Sequence, residues 1–137
     1  IDDKYNTSIN KKYQCIYNKI CITLSLDTKT TNKLKYLQEW NLHFASLDNV
    51  TFNGLILDID NLESTFILKD RKLTIKDKYL NKTIEFIFDK EITIFILPLN
   101  SISQSEQGVD LSNQGVTLGF GYDFLEVLQI KVDLEIF

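Results

Sequence analysis

Cys15 and Cys21, the lone His43, and the acidic run Asp58, Asp60, Asn61 and Glu63 are the groups in this chain whose type and spacing could do chemistry. The two cysteines share strand parity. A three-residue hairpin centred on Asn18 would set them opposite each other, within reach of a disulfide. A helical Cys15 would separate them and leave two thiols packed as small hydrophobes. The sequence leaves both readings open. Two Cys and one His are too few ligands for a structural zinc site, so neither a metal nor a cofactor is expected.

His43 alternates with Leu42 and Phe44, which turns it toward solvent on a strand. A general base needs a positioned nucleophile and an orienting partner, and neither is readable beside it. No catalytic residue is assigned. The acidic run offers oxygens at alternate positions, as a calcium site would. It lacks the glycine and spacing of an EF-hand loop, and the solvated face of a strand accounts for it. Lys69, Arg71, Lys72, Lys76, Lys78 and Lys82 form a basic strip broken by Asp70 and Asp77. Such a strip could touch phosphate, yet lysines are also how exposed edge strands avoid pairing with strangers. Asn6, Asn49 and Asn81 each begin an N-x-[ST] triplet, unsurprising in a chain rich in Asn, Ser and Thr. The five glycines are scattered and form no phosphate-cradling loop.

These groups need elements to position them. Ile1, Tyr5, Ile9, Tyr13 and Ile16 recur at spacings of three and four, which predicts a helix over residues 1–17 with one apolar face. Asp2 and Asp3 at its start and Lys11 and Lys12 near its end suit the helix dipole. The alternative is a flexible leader followed by a strand from Tyr13. Strands then follow one another: residues 20–26, 40–44, 50–52 and 55–59 around the hairpin signal Asn53-Gly54, 66–68, 73–75, 83–88 and 92–97. Asp89-Lys90-Glu91 reads as a turn, and Pro98 as a strand end or edge. Residues 99–115 are polar and read as a long loop suited to binding, with Ser101, Gln104, Glu106, Asp110 and Asn113 as its interaction residues. The alternation of Ile130, Val132, Leu134 and Ile136 against Lys131, Asp133 and Glu135 closes the chain with a strand.

At 137 residues the chain is long enough for one domain with its own core. A net charge of −4 argues against a nucleic-acid partner. No apolar run approaches the roughly 20 residues of a membrane-spanning helix. The chain starts at Ile1 and contains no Met, so a removed N-terminal piece carrying a signal or anchor is expected.

Residues 14–24, QCIYNKICITL, resemble the helix-to-strand junction of minor type IV pilins and pseudopilins, most nearly the H-type pseudopilin of type II secretion and FimT/FimU-like minor pilins. Cys15 takes the small position of that junction, followed by Ile16, Asn18 and Ile22-Thr23-Leu24. Trp40 falls after the first strand, as in that family. Residues 94–103, IFILPLNSIS, resemble its C-terminal-third strand, with Asn100 where Gly is usual. The resemblance implies an α+β fold: a truncated N-terminal helix, residues 1–17, packed on the antiparallel β-sheets of a head formed by residues 18–137. It implies a non-catalytic structural subunit, periplasmic or at the cell surface, with other pilin or pseudopilin subunits as partners and the apolar helix face as the contact. Membrane attachment would come only through the missing segment, and no small-molecule substrate is identified. The alternative is an all-β sandwich with a flexible N-terminal leader, serving as a periplasmic or secreted binding or adhesion domain of a lipoprotein.

Overall fold

The computed structural model describes residues 6–58 and 65–137. Among these the chain is antiparallel β-structure with a single 3-10 turn at Leu47–Asn49 and no α-helix. Eight strands are formed: β1 (Thr7–Ile16), β2 (Lys19–Thr28), β3 (Leu34–Leu42), β4 (Val50–Phe52), β5 (Phe66–Asp77), β6 (Lys82–Ser105), β7 (Gly108–Phe124) and β8 (Val127–Ile136).

β6 organises the fold. Its first half pairs with β5 on one side and, over residues 84–88, with β8 on the other. From Thr93 onward β7 replaces β8 as the second neighbour. The β5–β6 register slips at the changeover: Asp70 faces Ile92, but Lys72 faces Ile87. The extra residues of β6, 88–91, make a corner that swings the strand from one layer to the other, as bulges do. One layer runs β1-β2-β8-β6-β5-β4, and the second joins the far ends of β5 and β6 to β7 and β3.

The layers meet through their inner faces. Ile22, Leu24 and Leu26 of β2 lie opposite Val132, Ile130 and Leu128 of β8, all buried. Leu118, Phe120 and Tyr122 of β7 supply the facing wall. Aromatic edges lock the two together: Phe120 lies 5.1 Å from Phe86 and 4.7 Å from Phe88, and Trp40 lies 5.5 Å from Phe86, all ring to ring. Edge-to-face pairs add about 0.5–1.5 kcal/mol each beyond area burial.

Several expectations are corrected here. No helix runs to residue 17; residues 7–16 are the edge strand β1, and Ile1 and Tyr5 lie outside the described residues. Ile9 and Tyr13 share one face of that strand and Ile16 takes the other, and all three are about half exposed, so no apolar helix face forms. The hairpin after β1 has two loop residues, Tyr17 and Asn18, with Tyr17 at φ 52°. Cys15 therefore faces Ile20 and Cys21 faces Gln14. A one-residue difference in register puts side chains on opposite faces, and both thiols are free. The α+β reading gives way to the β-sandwich alternative. Residues 66–77 are one strand rather than two, and Asp89-Lys90-Glu91 is the corner of β6 rather than a reversal.

The Asn-Gly hairpin is present. Asn53 (φ 46°) and Gly54 (φ 83°) turn the chain between Phe52 and Leu55, which exchange backbone bonds of 2.8 and 2.9 Å. Of the strand expected over residues 55–59, Leu55 forms a single bridge, 56–58 are irregular, and residue 59 lies outside the described residues. Of the acidic run, Asp58 is described, while Asp60, Asn61 and Glu63 lie outside the described residues.

Candidate functional site

The two outer faces of the sandwich differ in chemistry. On the β1-β2-β8 layer the outward positions are Lys12 and Gln14, Thr23 and Ser25, and Lys131, Asp133 and Glu135. Farther across, Glu85 lies between Thr74 and Glu135. Ion pairs knit this face: Lys72 Nζ to Glu85 Oε1 at 2.7 Å and Lys19 Nζ to Asp133 Oδ2 at 3.2 Å. Cys21 sits opposite Asp133 in register. Hydrogen bonding to that carboxylate, then burial and the carboxylate's charge, push the thiol up, while Lys131 and Lys19 pull it down less. Burial pushes the Asp133 carboxyl up, but the thiol, Lys19 and Lys131 outweigh it and hold it below the usual Asp value. Asp133 Oδ1 is buried at this spot, with Cys21 as its neighbour across the ladder.

The outer face of the second layer is different. Leu37, Gly121, Thr93 and Lys69 form one row across it; Glu39, Gly119, Phe95 and Ile67 form the next. Leu37 is 57% exposed and Ile67 64%. The apolar side continues along β6 through Leu97 and Leu99. The charged side holds Lys35 and Asp123, cross-strand partners, and Lys90 and Glu91 at the β6 corner.

Between them lies a groove of about 570 Å³, within the range of small-molecule sites. Its floor is Gly121. Phe120 points into the core, so the Gly-Phe-Gly segment of residues 119–121 turns two missing side chains to the same outer face. Leu37 and Phe95 wall the gap: a Cβ on Gly119 would meet Leu37 Cδ1 at 3.2 Å, and one on Gly121 would meet Phe95 Cε2 at 3.2 Å. Tyr122 borders the groove, but like Phe120 its side chain turns to the inner face, where its hydroxyl is buried with no hydrogen-bond partner. Burial first, then Asp89 and Tyr36, push that hydroxyl far above the usual Tyr value. Lys90 Nζ stands 5.8 Å from the Tyr122 ring centre, a cation–π distance.

The segment expected to be a binding loop is a two-stranded ribbon. Residues 100–105 pair with 108–113, turning at Glu106-Gln107, and project beyond the sandwich. Ser101 and Asp110 lie on one face of it, with Gln104 beside Val109 on the other; Ile102 shares that second face and is 69% exposed. Asn113 is a hinge-pin. Its Nδ2 donates to Asn100 Oδ1 (2.8 Å) and to the Gly115 carbonyl (3.2 Å), and its Oδ1 accepts from Gly115 N–H (3.1 Å). The ribbon residues do not meet the groove residues. His43 is exposed past the end of β3 and lines a smaller apolar hollow with Phe44, Ile75 and Leu80. Among the described residues, no group of three or more His, Cys, Asp or Glu could hold a metal ion.

Residues 2–134 match the family described as "Alpha-amylase/4-alpha-glucanotransferase, C-terminal". The chain belongs to this family. An α-amylase from Pyrococcus furiosus is 24% identical over 127 residues, covering 93% of this chain and 17% of that protein. The crystal structure of a 4-α-glucanotransferase from Thermococcus litoralis aligns with a TM-score of 0.71 at 17% identity, covering 94% of this chain and 18% of that one. The chain therefore spans less than a fifth of each relative's length. Membership in this family overturns the pilin and pseudopilin resemblance, together with the filament-subunit function and subunit partners it implied. The fold match agrees with the all-β architecture.

The sequence reading missed the groove. Its signal was the Gly-x-Gly spacing at 119 and 121 inside an apolar strand, which marks one face stripped of side chains.

Proposed function

We propose that the chain serves as the C-terminal β-sandwich domain of a larger enzyme acting on α-1,4-linked glucans, supplying attachment and support rather than reacting groups. The observation that carries this is the family match over residues 2–134 by a chain that covers only 17–18% of its relatives. The asymmetry of the outer faces supports it. A polar, ion-paired face suits water. An opposite face exposing Leu37, Ile67, Leu97 and Leu99 suits a protein neighbour. The ribbon adds to this. A two-stranded hairpin is marginal by itself in water, and this one exposes Ile102 and Val109 on a single face.

Hydrolysis or transfer at a glycosidic bond uses a pair of carboxyl groups flanking the bond. Among the described residues Glu85 lies directly opposite Glu135, but on the ion-paired outer face, with Glu85 tied to Lys72. That arrangement reads as a surface charge lattice.

The test is an assay with maltoheptaose. The full-length gene product is expected to hydrolyse or redistribute it, and residues 1–137 alone to do neither. An inert full-length product, or activity in residues 1–137 alone, would refute the proposal.

A further inference from the structure

We infer that the ribbon of residues 100–113 and the end of the sandwich at its base form one notch, which grips an apolar, carboxylate-flanked segment of the larger enzyme's own chain. This rests on the reading above and goes beyond it by naming the gripping surface and the chemistry of what it holds.

The notch has a wall and a floor. On β6 the even positions Ile94 and Ile96 point into the core. The same parity along the unbroken strand puts Ile102 on the core-side face of the ribbon, and Val109 shares that face. There the two side chains are 69% and 65% exposed. With residues 100–105 in one strand of the ribbon, the wall reaches about 20 Å. The floor begins at the ribbon's base. Gly115 lies against His43, whose Cα is 3.2 Å from where a Cβ on the glycine would stand. His43 and Phe44 then line the apolar hollow with Leu80, Ile84 and Ile136. Beside it the β5–β6 turn carries Tyr79 and Leu80, 74% and 57% exposed. Turns are ordinarily built from small and polar residues, so a Tyr-Leu tip marks a surface kept apolar for contact.

The hollow holds about 210 Å³. That is below the range of small-molecule sites and fits one large apolar side chain, the kind of anchor that protein contacts seat in a pocket. Lys78 and Lys82 flank the tip and form no ion pair among the described residues. A wholly apolar neighbour would desolvate them without a partner, so carboxylates are expected beside the anchor. A second copy of this domain would set those lysines against themselves across a two-fold contact. A tethered segment has no such conflict. More than four-fifths of each relative lies outside the match, and a short tether supplies an effective concentration of millimolar order, so a contact this small can close.

Amide hydrogen exchange, read by mass spectrometry in the full-length product and in residues 1–137 alone, tests this. Peptides covering residues 79–82 and 100–113 should exchange about tenfold more slowly in the full-length product. Ile102→Lys and Leu80→Lys should each remove the protection from both stretches together. Both side chains are exposed, so neither change should move the isolated domain's Tm appreciably. Ser103→Lys, on the ribbon's other face, should keep the protection. Equal exchange in the two forms would overturn the inference, as would protection that survives Ile102→Lys or Leu80→Lys. Protection in residues 1–137 alone that rises with concentration would also overturn it, by giving the notch to a second copy. Turnover of maltoheptaose separates this inference from the reading above. If the full-length product processes it while the notch exchanges freely, the grip falls and the domain assignment stands. If the notch is protected while the full-length product is inert on glucans, the domain assignment falls and the grip stands as a contact within a larger protein.

Discussion

Gly115→Ala should be the most damaging single-methyl change in the domain. Gly115 sits at φ 142°, and an added Cβ would lie 2.1 Å from the Leu42 carbonyl oxygen. The backbone cannot easily move away. Asn113 bonds both its N–H and its carbonyl, and the β6–β7 register shifts beside it, between Leu99 and Asn100. Backbone strain at such a φ is about 1–3 kcal/mol, and forcing atoms into a filled space adds about 1–3 kcal/mol. A total near 3–4 kcal/mol follows, or a Tm lower by about 10 °C at roughly 3 °C per kcal/mol for a domain of this size. Gly54→Ala is the control. Gly54 also has positive φ, 83°, but nothing lies within 4 Å of its new Cβ, so only the backbone contribution of about 1 kcal/mol remains. Urea and thermal unfolding, read by far-ultraviolet circular dichroism and Trp40 fluorescence, measure both. If the two variants unfold within about 0.5 kcal/mol of each other, Gly115 is not the fixed base of the ribbon and the argument fails.

Other outcomes follow from the same structure. Thiol titration should find two free thiols without reductant, with Cys15 reacting fast and Cys21 slowly, because Cys21 is less exposed and raised by Asp133; a single slow class would contradict this. Asp133→Asn should destabilise the domain at neutral pH. Because the folded carboxyl lies below its ordinary value near 3.8, its stabilisation is complete above that value and is lost as pH falls through the folded one; the gap between native and variant should therefore close in acid, and a gap constant to pH 2 would refute the linkage. Asp77→Ala should cost about 1–3 kcal/mol, since the buried carboxylate accepts from Tyr79 N–H (2.9 Å) and Leu80 N–H (3.1 Å) in the β5–β6 turn. Ile67→Lys should leave the isolated domain's Tm nearly unchanged yet weaken its attachment in the full-length product, read as faster proteolytic release of the domain.

Strands buried on one face were legible in the sequence. Ile22-Leu24-Leu26 and Ile130-Val132-Leu134 alternate cleanly because β2 and β8 are covered on one side and wet on the other. Alternation is a burial signal, so strands wet on both faces carry none. β1 is exposed along nearly its whole length, and its apolar residues fell by chance at helical spacing. The ribbon of residues 100–113 read as loop for the same reason. β6 read as two strands because its charged corner looks like a turn in one dimension, and only the pairing of Asp70 with Ile92 and Lys72 with Ile87 shows that the strand continues. The groove was hidden because it arises from side chains that are missing, and a reading of side-chain chemistry passes over glycines.

The passage of β6 through both layers bears on how the chain assembles. Most pairings join distant parts of the sequence; Lys19 meets Glu135 in the β2–β8 ladder. Such topologies fold slowly, in milliseconds to seconds, because long loops must close before contacts reward them. Three ladders are local, β1–β2, β5–β6 and β6–β7, each joined by a short turn, and of these the β5–β6 hairpin closes just after Asp77. Closing that one hairpin lays a strip of each sheet at the same moment, already bent at the corner. The remaining strands then have two templates to add to, β8 and β2 on one side and β7 and β3 on the other, with β1 arriving alongside β2, to which its two-residue hairpin ties it.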